Sequence, residues 1–231
     1  MAGPLVLAGG EEFSEGCDFD RDVVAPAGRV VVLTTAAAFE NPAKLADRAR
    51  AWFGGLGVDV DVPDANDRRS ASTEAVVRAV AGAAAVYLTS GSAQHLRSVL
   101  KGSPLWPALV GAWQRGAVLA GSQAGAAVLG ATMIDARGGG FTAGLGLFSG
   151  FAVMPRFNQW NAERIHRVRT LAPDGVVVIA VDERTALVHR PGSGWSAEGA
   201  GRVEAFHRGQ SVGLASLPDP AAGAGEAVSS G

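Results

Sequence analysis

The stretch from Gly116 to Gly130, Gly-Ala-Val-Leu-Ala-Gly-Ser-Gln-Ala-Gly-Ala-Ala-Val-Leu-Gly, constrains the fold more than any other part of the chain. It reads as a short apolar strand, a glycine-flanked turn and a helix of small residues. That is the layout of a nucleophile elbow, a sharp strand-to-helix turn that lifts one side chain clear of a sheet. Gly121 and Gly125 bracket the raised position, where a tight turn leaves no room for Cβ atoms. The raised residue is Gln123, an amide with no nucleophilic atom.

The flanking sequence alternates strand and helix. Leu5 to Ala8 is an apolar run ending at Gly9-Gly10, and Arg29 to Thr34 is a β-branched run that fits a strand buried on both faces. Asn41-Pro42 opens a helix that Gly54-Gly55 closes. Val58 to Val62 alternates with period two, a half-exposed strand. Ser72-Thr73-Glu74 opens another helix, Ala85 to Leu88 is a strand, and helices follow over about Gln94 to Lys101 and Pro104 to Arg115. This order predicts an α/β fold, a doubly wound, mostly parallel sheet in three α/β/α layers. Further on, glycines at 138–140, 144, 146 and 150 mark turns, Asn161 to Leu171 is a helix and Val176 to Val181 a buried strand. Ala186 to His189, Gly194 to Ser196 and Val203 to His207 are expected as short antiparallel strands extending one edge of the sheet. We expect one domain over residues 1–217 and a disordered tail over 218–231, where the chain turns to Ala, Gly, Ser and Pro.

Composition narrows the function classes. A net charge of −2 gives no electrostatic case for nucleic acid or an anionic membrane. The single cysteine, Cys17, leaves no internal disulfide and no cysteine-based metal cluster. No apolar stretch approaches the roughly 20 residues that span a bilayer, and the N-terminus lacks a signal-peptide pattern, so a cytoplasmic location is expected. The four histidines, His95, His166, His189 and His207, form no metal-ligand spacing. The glycines of 138–150 match neither a P-loop nor a dinucleotide fingerprint, so neither metal nor cofactor is expected.

Several segments together resemble one family. Gly-Ser-Gln-Ala-Gly-Ala over 121–126 is similar to the elbow of the dipeptidase E and cyanophycinase serine peptidases, which have a class I glutamine amidotransferase-like fold. Gly9-Gly10-Glu11 resembles the family's first glycine turn, and Tyr87 to Ser92 its Thr-Gly-Gly-Asp/Asn loop. Met154-Pro155-Arg156-Phe157 resembles the segment with the catalytic histidine, and Val181 to Leu187 the Ile-Asp-Glu-x-Thr-Ala-Leu segment. The resemblance spans about residues 4 to 210.

The resemblance implies a serine where this chain has Gln123 and a histidine where it has Arg156. A serine hydrolase needs a hydroxyl and a base to take its proton. Glutamine has no such hydroxyl and arginine stays protonated. In a model protease, loss of one triad member costs on the order of a millionfold in turnover. Ser122, Glu183 and the loop residue Cys17 are the remaining weak catalytic candidates, and no catalytic residue is assigned. Glu11, Ser90, Gly91, Ser92, Gln123, Ala124 and Arg156 are expected to converge beyond the carboxyl ends of the strands and bind a carboxylate-bearing amino acid, peptide or metabolite. Three alternatives stand beside this. Arg156 and Gln123 simply fill a decayed site, with Arg156 paired to Glu11, Glu183 or another acid. The chain is an enzyme with a new mechanism drawing on Glu11, Glu12, Asp182 or Glu183. It is a non-catalytic interaction partner presenting Trp106, Trp113 or Trp160. By analogy with such folds, a homodimer is the assembly to expect.

Overall fold

The computed structural model describes residues 1–135 and 137–222. In chain order its elements are β1 (Leu5–Ala8), β2 (Arg29–Leu33), α1 (Pro42–Gly55), β3 (Asp59–Asp61), α2 (Arg68–Ala71), α3 (Glu74–Ala81), β4 (Ala85–Leu88), α4 (Ala93–Leu100), α5 (Leu105–Gln114), β5 (Val118–Ser122) and α6 (Ala124–Leu129). There follow β6 (Thr132–Ile134), β7 (Phe141–Ala143), β8 (Phe151–Pro155), α7 (Ala162–Leu171), β9 (Val177–Val181), β10 (Thr185–Arg190), β11 (Gly194–Gly199), β12 (Val203–His207) and β13 (Gln210–Ser211).

The main sheet has seven strands in the order β11-β10-β1-β5-β4-β2-β3. The five from β1 to β3 run parallel, and β10 and β11 extend the β1 edge antiparallel. Successive residues of each inner strand enter opposite cores. Leu5, Leu7, Val31, Leu33, Val86, Leu88 and Leu119 pack with α3, α4, α5 and α6. Val6, Ala8, Val30, Val32, Tyr87 and Ala120 pack with α1 and with Phe13, Cys17 and Phe19. This two-sided burial explains why the strands read as unbroken apolar runs.

The C-terminal third departs from the expected edge extension. Val203–His207 does not join the main sheet; it pairs with β9, which pairs in parallel with β8, in a second sheet ordered β13-β12-β9-β8. The outer edge of β10 is already filled by β11, and the turn after β11 is fixed where Gly201 N–H donates to Thr185 Oγ1 at 2.7 Å. β9 supplies the edge instead, its other edge being paired with β8, and β6 and β7 form a separate hairpin in the glycine-rich region. The expectation of disorder from Pro218 does not hold for Pro218–Ala222. The Trp195 indole donates to the Pro218 carbonyl at 3.0 Å, and Pro220 is buried. Residues 223–231 lie outside the described residues.

Trp106 and Trp113 are core residues, 5% and 1% exposed, and are not available to an interface. Trp160 is half-buried, with its indole donating to Pro155 O at 2.9 Å. His189 is buried, and the His95 ring bonds Asn66 O at 2.8 Å. Among the described residues no helix is long and apolar enough to cross a membrane.

Beneath the sheet lies an unusual acid. Asp20 starts a π-helical turn, Asp20–Val24, and is fully buried. Its Oδ2 accepts from Trp52 Nε1 at 2.9 Å, and its Oδ1 has no partner. Burial pushes its carboxyl up to about 8; the Trp52 bond opposes this and the Glu12 charge adds to it.

Candidate functional site

The elbow has the geometry its glycines require. Gln123 sits at φ 48°, ψ −99°, outside the helical and extended regions. A Cβ on Gly121 would lie 2.6 Å from the carbonyl carbon of Gly125, and one on Gly125 would lie 2.3 Å from Leu88 O. The strained backbone is fixed at both ends, by Gln123 N–H to Ala8 O and Ala127 N–H to Gln123 O, each 2.9 Å.

The loop after β4 approaches the elbow from one side. Gly91 has φ +131°, and a Cβ there would lie 2.2 Å from Ala36 O. Its N–H donates to Gln123 Oε1 at 3.3 Å. The amide side chain therefore bends back and places its carbonyl on a backbone donor beside the elbow. Ser92 caps α4 by accepting from His95 N–H at 3.2 Å.

Glu12, not Glu11, supplies the carboxylate that holds these parts together. It is 2% exposed. Its Oε1 accepts from Ser90 N–H at 2.9 Å and its Oε2 from Ser122 Oγ at 2.8 Å. Arg48 of α1 donates to its backbone carbonyl at 2.8 Å. Two donors from different strand ends, the half-buried Ser90 N–H and the buried Ser122 hydroxyl, are thus satisfied by one buried acid. Ser122 is fully buried and committed to this bond, which leaves it pointing away from the raised position. Glu11 is exposed, in left-handed conformation at φ 54°, with its carbonyl tied to Ser14. Cys17 is fully buried, and burial pushes its thiol up to about 11 with the Asp20 charge adding, so thiolate is scarce at neutral pH.

Arg156 follows β8 in left-handed conformation, its N–H donating to Gly9 O at 2.9 Å. Its Nε donates to Glu183 Oε1 at 2.8 Å. Asn158 and Gln159 donate to Glu183 Oε2 at 3.0 and 2.9 Å. Burial raises the Glu183 pKa, but these three donors and the Arg156 charge outweigh it and hold the carboxyl below its usual range. Among the described residues the terminal nitrogens of Arg156 have no partner, and its side chain is 47% exposed. Asp182 faces the other way, accepting from Arg202 N–H at 3.2 Å.

A cleft of about 360 Å³ opens beside Gln123. Gly91, Ser92, Gln123 and Ala124 line it. Glu11, Ser90 and Arg156 do not; Arg156 lies across Gln123, against Gly10. The opposite wall comes from residues that no motif marks: Glu40, Gln94, Met133, Ile134, Asp135 and Arg137. A larger groove of about 760 Å³ lies at the other end of the strands, near Pro4, Ala84 and Val118. It is open and far from the elbow, whereas ligands of open α/β sheets sit at the carboxyl ends, so the cleft is the candidate site. Among the described residues no three His, Cys, Asp or Glu side chains are grouped to hold a metal ion.

Comparison with known proteins agrees with this geometry. The model of peptidase family S51 matches residues 9–194. Cyanophycinases of Nostoc sp. and Trichormus variabilis are each 28% identical over 205 residues, covering 83% of this chain and 68% of theirs. The crystal structure of a peptidase from an acI-B1 Actinobacterium superposes with a TM-score of 0.79 at 26% identity, covering 92% of this chain and 97% of that one. A peptidase E protein from Listeria monocytogenes EGD-e shares the fold, with a TM-score of 0.64 at 16% identity, covering 87% of this chain and 100% of that one.

Proposed function

Because the chain belongs to peptidase family S51, we propose that it is a non-hydrolytic member that binds a carboxylate-bearing amino acid or short peptide at the elbow. One observation carries the reading. The raised side chain is an amide whose oxygen rests on the Gly91 N–H, and the facing position is an arginine fixed by Glu183. Neither residue can supply a nucleophile or take a proton at neutral pH. Both are suited to holding a ligand. Arg156 keeps its two terminal nitrogens for a carboxylate, the best partner for a planar fork of donors. Gln123 adds an amide that both donates and accepts. The same reading assigns the chain to the cytoplasm, in keeping with one buried cysteine and no disulfide.

The test pairs turnover with binding. Purified protein is incubated with α- and β-aspartyl dipeptides and the products are separated chromatographically; no cleavage is expected. Thermal shift with amino acids and dipeptides is expected to show stabilisation that Arg156→Ala removes. Cleavage that disappeared in Ser122→Ala or Cys17→Ala would overturn the non-hydrolytic assignment, and undiminished binding by Arg156→Ala would overturn the role of the arginine.

A further inference from the structure

The cleft beside Gln123 has two chemically different parts. Its floor is apolar: Ala127, Met133 and Ile134 are 4%, 1% and 4% exposed, and Pro155 closes the end. Its rim carries charge, but not evenly. Arg137 is neutralised by Asp135, with Nε and a terminal nitrogen on the two carboxylate oxygens at 3.3 and 3.4 Å. Glu40 is exposed, and among the described residues its side chain has no hydrogen-bond or ion-pair partner. Among the residues that line the cleft the uncompensated charge is therefore negative. Arg156 lies outside the cleft, across Gln123, and Arg164 and Arg167 line a separate groove that shares Arg137.

This arrangement separates the two ends of a ligand. On the ligand-binding reading above, the carboxylate lies at Gln123 on the side of Arg156, outside the cleft. The side chain next to it enters a space with apolar walls and an acidic lip. We infer that the cleft selects ligands whose side chain beside the carboxylate is uncharged and apolar, and disfavours acidic side chains. The inference rests on the ligand-binding reading above. Three physical terms set the order. An apolar side chain gains by leaving water for the floor. An acidic one is desolvated without a partner and repelled by Glu40. A lysine reaches Glu40 with its ammonium, but an exposed pair adds little to the burial of its stem. The volume of about 360 Å³ suits one amino-acid side chain with its flanking backbone and is small for longer peptides.

The experiment uses three dipeptides that share a free C-terminal carboxylate: glycyl-leucine, glycyl-lysine and glycyl-aspartate. Isothermal titration of the full chain at neutral pH is expected to rank them in that order, with glycyl-leucine about tenfold tighter than glycyl-aspartate. Glycyl-aspartate or glycyl-lysine binding as tightly as glycyl-leucine would overturn the selectivity while leaving the carboxylate site standing. Binding of none of the three would overturn both. Glu40→Lys, an exposed change that does not touch the core, supplies the second arm. It is expected to narrow the gap between glycyl-leucine and glycyl-aspartate at least threefold, and an unchanged ratio would remove Glu40 from the proposal.

Discussion

Replacing Asp20 with asparagine keeps the size of the side chain and its acceptor for the Trp52 indole while deleting an ionisable proton. In the folded chain that proton is held tightly, because the carboxyl is pushed up to about 8 from an ordinary 3.8. The sign follows from linkage. The folded state binds a proton that the unfolded state releases above about pH 4, so stability is fully present below that pH and is lost as pH rises toward 8. Each step of one in pKa corresponds to about 1.36 kcal/mol, which gives a loss on the order of 5 kcal/mol across the window. For a chain of this length, about 1 kcal/mol moves the melting temperature by roughly 2–4 °C. Between pH 5 and 8 the parent protein should therefore lose on the order of 10 °C relative to Asp20→Asn. Titrating groups that do not interact with Asp20 contribute equally to both proteins and cancel in the difference. Differential scanning calorimetry of the pair at half-unit pH intervals measures it, with urea titrations at pH 5 and 8 as an equilibrium check. Parallel curves for the two proteins would refute the idea that Asp20 is carried as a neutral acid.

Three further outcomes follow from the site and the elbow. Gln123→Ser combined with Arg156→His places a hydroxyl and a base where Glu183 can orient the imidazole, and should cleave an aspartyl dipeptide at least about 100-fold faster than either single variant; equal rates for double and single variants would mean the scaffold no longer supports a triad. Gly125→Ala puts a Cβ 2.3 Å from Leu88 O and should cost about 3 kcal/mol, read as a lower urea midpoint with an unchanged slope. Glu183, held below its usual carboxylate range, contributes stability that is present above its unfolded value and lost as pH falls through its folded one; below pH 4.5 the parent should lose stability that Glu183→Gln never had, as followed by tryptophan fluorescence.

The parts of this molecule legible in sequence are those where sterics or burial act locally. Gly121 and Gly125 announce the elbow because the carbonyls beside them leave no room for a side chain. Val30 to Leu33 announces a central strand because both faces are covered. Asn41 and Pro42 announce α1 because the cap and the missing N–H act within one turn, with Asn41 Oδ1 accepting from Lys44 N–H at 3.1 Å. Non-local geometry was hidden. Glu11 and Glu12 are equivalent letters in a glycine turn, and only the left-handed backbone at Glu11 decides which carboxylate points inward. The pairing of Arg156 with Glu183 joins residues 27 positions apart, one of several acids the sequence leaves open. Met133, Ile134 and Arg137 reach the cleft through the β6–β7 hairpin, whose three-residue strands, Thr-Met-Ile and Phe-Thr-Ala, are too short to show a period in a glycine-rich stretch. The second sheet is hidden for the same reason: β9 and β12 look like any buried strands, and only the fold shows that β9 pairs with β8 on one edge and takes up β12 on the other.

The backbone at position 123 is held by its neighbours. Ala8 and Ala127 bond its peptide groups, Gly121 and Gly125 clear the space around it, and Glu12 ties the strand end before it to the loop that faces it. The side chain itself supplies one 3.3 Å bond. The residue with the greatest say over chemistry thus has little say over folding. Such a position behaves as an interchangeable fitting in a rigid mount. Selection can exchange what it carries at small cost to stability, so the chemistry at this position can change while the fold stays the same.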